Sequence, residues 1–151
     1  MLVYRISGKK YSSDLSGLGA ALYGGRWNKK GTPVLYTGES REIALLENIV
    51  HSPPLILPKV DIITLEIPDD SITTIEIKNL PKNWASYPAP TVLSEIGEKW
   101  VQDAKTIAFM VPSCIVPTAQ NLILNCSHPD FSQVKILDKR PFKIDSRLLK
   151  K

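Results

Sequence analysis

Short apolar runs punctuated by glycine and proline dominate the chain, and most of them read as β-strands. Leu2 to Ile6 is the first, and Val34 to Thr37 follows the breaker Gly31-Thr32-Pro33. From Asp61 to Ile67 the pattern alternates, which predicts Ile63, Leu65 and Ile67 on one face and Thr64 and Glu66 on the other. Ile72 to Ile77, Ile107 to Val111, Val134 to Leu137 and Phe142 to Ile144 complete the predicted strands. Residues 52–58 are rich in proline and read as a loop free to vary.

Two stretches carry helical periodicity instead. One begins after Ser40, a side chain suited to cap a helix N-terminus, and runs to about His51, where Pro53-Pro54 stops it. At roughly 100° per residue, Ile43, Leu45, Leu46, Ile49 and Val50 sweep one apolar arc, with Glu47 at its edge beside His51. The second runs from about Thr91 to Ala104. Val92, Leu93, Ile96, Trp100 and Ala104 form its apolar face, and Glu95, Glu98 and Gln102 form a solvated one. Strands outnumber helices without alternating with them, so the expected class is α+β, a mixed sheet core with a few short helices. No GxGxxG opens a helix and no GxxxxGK[ST] occurs, which argues against a Rossmann site and a P-loop.

Composition narrows the function classes. The 151 residues predict one domain spanning 1–151, and 43% hydrophobic with 23% charged residues describes a globular chain. No apolar run is long enough for a membrane span, and the N-terminus lacks a signal-peptide core, so the expected compartment is the cytoplasm. The net charge of +4 comes from 19 basic and 15 acidic residues, scattered in pairs such as Lys9-Lys10 and Lys139-Arg140. Scatter favours a solvated surface over a nucleic-acid footprint. The charge, with Trp27 and Trp84, still motivates an RNA-binding or ribonuclease module as an alternative. Cys114 and Cys126 are too few for a disulfide framework and lack zinc-site spacing, and His51 and His128 form no HExxH, so no metal is expected.

The least ordinary stretch is residues 14–37. Six of the eight glycines fall between Gly8 and Gly31, and Arg26-Trp27-Asn28 is embedded among them. A guanidinium fork beside a stacking face on a glycine-rich loop can form a pocket for a phosphorylated, ring-bearing ligand. It can equally be a surface turn with a packed tryptophan. Glu47 can point into a cleft and stabilise a cation at a sugar carbon, or can simply meet water. Tyr36 closes a short strand. Ser113 follows Val111-Pro112 at a strand end, without the GxSxG context of an acyl nucleophile. Asn121 and Asn125 flank Leu122-Ile123-Leu124, and asparagines often bond their own backbone in turns. His128-Pro129-Asp130 reads as a turn. Arg5 sits within an apolar strand, where a charge needs a partner or a cavity.

In chain order these pieces resemble the RES-domain family, toxins of bacterial toxin–antitoxin pairs named for characteristic arginine, glutamate and serine residues. The matching residues are Tyr4-Arg5, Gly24-Gly25-Arg26-Trp27-Asn28, Gly31 through Thr37, and Ala44-Leu45-Leu46-Glu47. Val111-Pro112-Ser113, Asn121 with Asn125, and His128-Pro129-Asp130-Phe131 continue the series. The resemblance implies a compact fold like that of ADP-ribosyltransferases, built around an NAD cleft. It implies NAD as the substrate, cleaved between nicotinamide and ribose, with hydrolysis or phosphorolysis as the outcome and transfer to a protein as the alternative. Glu47, Arg26, Tyr36 and Ser113 take the catalytic positions it implies, and Arg5, Trp27, Asn28 and Asn121 the NAD-binding ones. It further implies an antitoxin partner with a helix-turn-helix domain and admits a homodimer; the scattered charge and short apolar runs separately argue for no direct binding of nucleic acid and no membrane association.

Overall fold

The computed structural model describes residues 1–51 and 59–149. Seven strands form one mixed sheet: β1 (Leu2–Gly8), β2 (Val34–Gly38), β3 (Val60–Glu66), β4 (Ile72–Thr74), β5 (Ala108–Pro112), β6 (Gln120–Asn125) and β7 (Lys135–Phe142). Their spatial order is β4-β5-β6-β2-β1-β3-β7, antiparallel throughout except for the parallel β4–β5 pair. Three α-helices accompany it: α1 (Leu18–Tyr23), α2 (Arg41–His51) and α3 (Thr91–Asp103). The α+β class expected from the pattern holds. Among the described residues no helix is long and apolar enough to cross a membrane. The loop expected over 52–58 lies outside the described residues.

The seam in the middle of the sheet differs from the rest of it. β1 pairs with β3 along seven residues, and β2 pairs with β6 along five. β1 and β2 share one register pair, Tyr4 opposite Gly38. Helix α2 lies across this seam. Its start is capped by Ser40, whose Oγ accepts the Ile43 N–H at 3.2 Å. On the β1 side the Arg41 guanidinium sits 4.5 Å over the Tyr4 ring, and Asn48 Nδ2 donates to the Ile6 carbonyl. On the β2 side, α2 presses so close that a Cβ at Gly38 would lie 2.9 Å from the Ala44 nitrogen. Glycine is therefore required there by space.

Several elements depart from the pattern. β3 does not alternate: Asp61 and Thr64 are buried together with Ile62, Ile63 and Leu65, because β1 and β7 flank the strand and both its faces are covered. The predicted strands over 134–137 and 142–144 merge into the single edge strand β7, whose Pro141 an edge tolerates. β6, with its asparagines, is a paired strand between β2 and β5 rather than a turn-flanked apolar run. α1 forms within the glycine-rich stretch, with Leu18, Leu22 and Tyr23 exposed. On α2 the buried positions are Ile43 and Ala44, and Leu46 and Val50 face outward. The helix is thus rotated from the predicted arc. At roughly 100° per residue, Glu47 falls between Ile43 and Ala44, on the inner side rather than at an edge. On α3, Glu98 accepts a hydrogen bond from Thr32 Oγ1 and is not merely solvated. Gly97 meets the Trp27 backbone so closely that a Cβ there would overlap the Trp27 carbonyl oxygen.

Candidate active site

The register of β2, β6 and β5 brings three distant positions to one place. Gly38 pairs with Asn121, and Asn121 pairs with Val111, two residues before Ser113. Glu47 descends onto this row from α2. Its Oε1 accepts from Asn121 Nδ2 at 2.6 Å and from Ser113 Oγ at 2.9 Å. The other oxygen, Oε2, lies 4.0 Å from His51 Nε2. The Glu47 side chain is 23% exposed, whereas Ser113 is fully buried. One carboxylate oxygen is thus anchored, and the other faces the open side with an imidazole beside it.

Ser113 has no freedom to do anything but orient. Its Oγ accepts the N–H groups of Ile115 at 3.1 Å and Val116 at 3.2 Å. Its single proton is then committed to Glu47. Asn121 contributes a donor in the same way, and its Oδ1 is buried without a partner. A buried amide oxygen left unpaired beside a carboxylate is a ready acceptor for a hydroxyl or amide donor.

The second group of predicted residues forms a different object. Tyr36 projects from the face of β2 that carries Gly38, one pleat along. Its hydroxyl donates to Asn28 Oδ1 at 2.7 Å and accepts the Trp27 N–H at 3.1 Å. Burial pushes the phenol up to about 12, against the lowering effects of the Trp27 N–H and the Arg26 charge. It therefore stays protonated at ordinary pH. Asn28 is 1% exposed, and its Nδ2 donates to the carbonyls of Ala20, Lys29 and Thr32. Arg26 donates from Nη1 to the Trp84 carbonyl at 2.6 Å and from Nη2 to the Ser86 carbonyl at 3.0 Å.

Three expectations change here. Trp27 offers no stacking face: it is 2% exposed and meets Phe109 edge-on, with ring centroids 5.7 Å apart. Asn28 has no spare polar atom facing a ligand, because the loop itself consumes its hydrogen-bonding capacity. Arg5 also stands apart from Glu47. It pairs with Ile63 and shares the face of Val3, while Tyr4 takes the face of Gly38. Its guanidinium donates to the Asp14 carbonyl at 3.1 Å. Burial lowers its pKa, and the nearby Asp14 carboxylate offsets part of that. The sequence reading did not single out Gly38, whose one signal is a glycine closing a strand directly before a helix. It also gave His51 no role. Among the described residues no three His, Cys, Asp or Glu side chains gather into a metal-holding group.

Comparison with known proteins gives this geometry a context. The family described as the RES domain matches residues 2–145. A protein of Yersinia enterocolitica named "Toxin Res" is 38% identical, over 98% of this chain and 99% of its own length. The "Prs ADP-ribosylating toxin" of a Sphingobium species is also 38% identical, over 93% of this chain and 89% of its own. Among solved structures, a chain of the Mycobacterium tuberculosis MbcT–MbcA toxin–antitoxin complex superposes with a TM-score of 0.80 at 16% identity. That match covers 98% of this chain and 86% of the other, and it is a likeness of fold.

Proposed function

The chain belongs to the RES-domain family, and from that premise we propose that it is the toxin of a bacterial toxin–antitoxin pair that consumes NAD by breaking the bond between nicotinamide and ribose. The observation that carries this reading is the Glu47 carboxylate, anchored through one oxygen by Ser113 and Asn121 with the other left toward the open side.

The chemistry asks little of a nucleophile. The electron pair of the breaking C–N bond stays on nitrogen, so nicotinamide leaves neutral and positive charge develops at the ribose carbon. A fixed carboxylate stabilises that charge without reorganising, and it accepts a ribose hydroxyl proton as a hydrogen bond. Ser113 and Asn121 are positioning residues in this scheme: they fix the rotamer of Glu47 and hold its negative charge. Arg26 has five N–H donors, of which two are held by carbonyls. Its charge is thereby fixed in place, and its remaining donors suit a pyrophosphate. The Tyr36 ring, held by its hydroxyl, supplies a flat wall for the nicotinamide. Trp27 and Asn28 support the loop rather than touch the dinucleotide. Acceptors of the ADP-ribosyl group are water or phosphate.

The test is direct. Purified protein is incubated with NAD, with and without phosphate, and free nicotinamide is followed chromatographically. Release by the wild type and its loss in Glu47→Gln is the expected result. Folded, antitoxin-free protein that releases none under either condition defeats the reading. A second acceptor, a cellular protein, is favoured by the likeness to the Sphingobium ADP-ribosylating toxin. Labelled NAD in a lysate separates the two, because only protein transfer leaves a labelled band. An antitoxin carrying a helix-turn-helix domain is the proposed partner, supported by the fold's likeness to a chain from a toxin–antitoxin complex. Co-expression with the neighbouring reading frame, followed by co-purification and loss of nicotinamide release, checks it.

A further inference from the structure

His51 is the last residue of α2 and stands one helical turn beyond Glu47. Its Nε2 lies 4.0 Å from Glu47 Oε2, the carboxylate oxygen that Ser113 and Asn121 leave free. The two side chains differ in access: the imidazole is 75% exposed and the Glu47 side chain 23%. A separation of 4.0 Å is too long for a direct hydrogen bond. It is short enough for one oxygen atom to lie about 2.8 Å from each partner, within hydrogen-bond reach of both.

The breaking of the nicotinamide–ribose bond makes two separate demands. Positive charge at the ribose carbon needs a fixed negative group, and an attacking water must lose a proton as its oxygen bonds to that carbon. Glu47 can meet only the first, because a carboxylate that took up the proton would lose the charge that stabilises the cation. Ser113 Oγ and Asn121 Nδ2 are both occupied as donors to Oε1. Tyr36 keeps its phenol proton at ordinary pH. A neutral imidazole, in contrast, has one ring nitrogen free to accept a proton, and histidine is the side chain most often used in this way. Given the proposed cleavage of NAD, on which this step rests, we infer that His51 is the general base for hydrolysis. A water held between Glu47 Oε2 and His51 Nε2 bonds through its oxygen to the ribose carbon. The C–N bond breaks with its electron pair on the nicotinamide nitrogen, and one water proton passes to Nε2. The exposed ring then returns that proton to solvent. Phosphate dianion attacks through an oxygen that carries no proton, so phosphorolysis makes no use of His51.

Nicotinamide release by the wild type, His51→Ala and His51→Gln, first in phosphate-free buffer and then with added imidazole, azide or phosphate, tests this role. In water alone both variants should release nicotinamide about 100-fold more slowly than the wild type, the loss expected for a missing general base. Imidazole in solution should restore release by His51→Ala. Azide, an anionic nucleophile with no proton to lose, should restore it as well and leave the ADP-ribosyl azide, identified by its mass. With phosphate the variants should match the wild type. Hydrolysis unchanged in both variants overturns the role of His51 and leaves the NAD reading standing. So does a loss that neither imidazole nor azide restores, and so does wild-type release that occurs only with phosphate. A wild type that releases no nicotinamide with any acceptor defeats the NAD reading itself.

Discussion

Two constellations sit on one face of the sheet and are built on opposite principles. Around Glu47, side chains bond side chains: Ser113 and Asn121 both spend their donors on one carboxylate oxygen. Around Asn28, apart from the Tyr36 hydroxyl on its Oδ1, side chains bond backbone: the amide donates to three carbonyls, Arg26 donates to two, and Tyr36 accepts the Trp27 N–H. The first arrangement concentrates negative charge at a point and leaves an oxygen over. The second disperses its hydrogen bonds and leaves the Asn28 side chain nothing over. One has the design of a reactive centre and the other that of a knot tying a loop to α1 and to the segment before α3.

The contrast can be broken by experiment. Glu47→Gln keeps the shape of the side chain but removes the charge, and nicotinamide release should fall by about 100-fold or more. The thermal midpoint should stay close to that of the wild type; a large drop would move Glu47 into the structural group. Asn28→Ala should do the reverse. It strands several buried partners, so urea unfolding should show a loss of about 3 kcal/mol, while the folded fraction retains turnover. An unchanged midpoint with lost turnover would make Asn28 part of the chemistry. Ser113→Ala leaves the carboxylate held by Asn121 alone, and turnover should drop on the order of tenfold through misplacement of Glu47.

The smallest effect is one of pH. Burial pushes the Tyr36 phenol up to about 12 from its ordinary 10. Between those values the folded chain keeps a proton that the unfolded chain has lost. Stability present below pH 10 is therefore lost as pH rises toward 12. Cys126, pushed up by burial from 9 to about 12, adds to the same decline from lower pH. Denaturation midpoints across this range should fall, and Tyr36→Phe should flatten the part that begins at 10. An identical slope in the variant would remove the phenol from the account.

How far the sequence could be read depended on what each residue was asked to do. The Ser40 cap, the span of α2 and most strands were legible because local pattern and final structure agree. β6 was hidden because Asn121 and Asn125 look like turn residues. In the sheet their side-chain amides donate to Glu47 and to the Val101 carbonyl, contacts made across 74 and 24 residues. α1 was hidden because its apolar residues face outward and give no buried stripe. Glu47 was legible as a candidate, but its orientation was not. Hydrophobicity alone rotates α2 toward Leu46 and Val50, whereas the approach allowed by Gly38 turns Ile43 and Ala44 inward and carries Glu47 with them. Trp27 misled for a related reason. An aromatic ring on a glycine-rich loop suggests a ligand, yet here the ring is buried edge-on against Phe109, and the Trp27 backbone occupies the space that Gly97 leaves on α3.

The single pairing of Tyr4 with Gly38 makes the centre of this sheet its weakest joint, and α2 is the splint laid over it. Arg41 and Asn48 grip one bank, and Ala44 and Glu47 rest on the other. A wedge driven into that joint from outside would tilt the splint and lift the carboxylate from its two anchors. On the proposed reading, NAD cleavage would then be lost by leverage, with Glu47, Ser113 and Asn121 never touched.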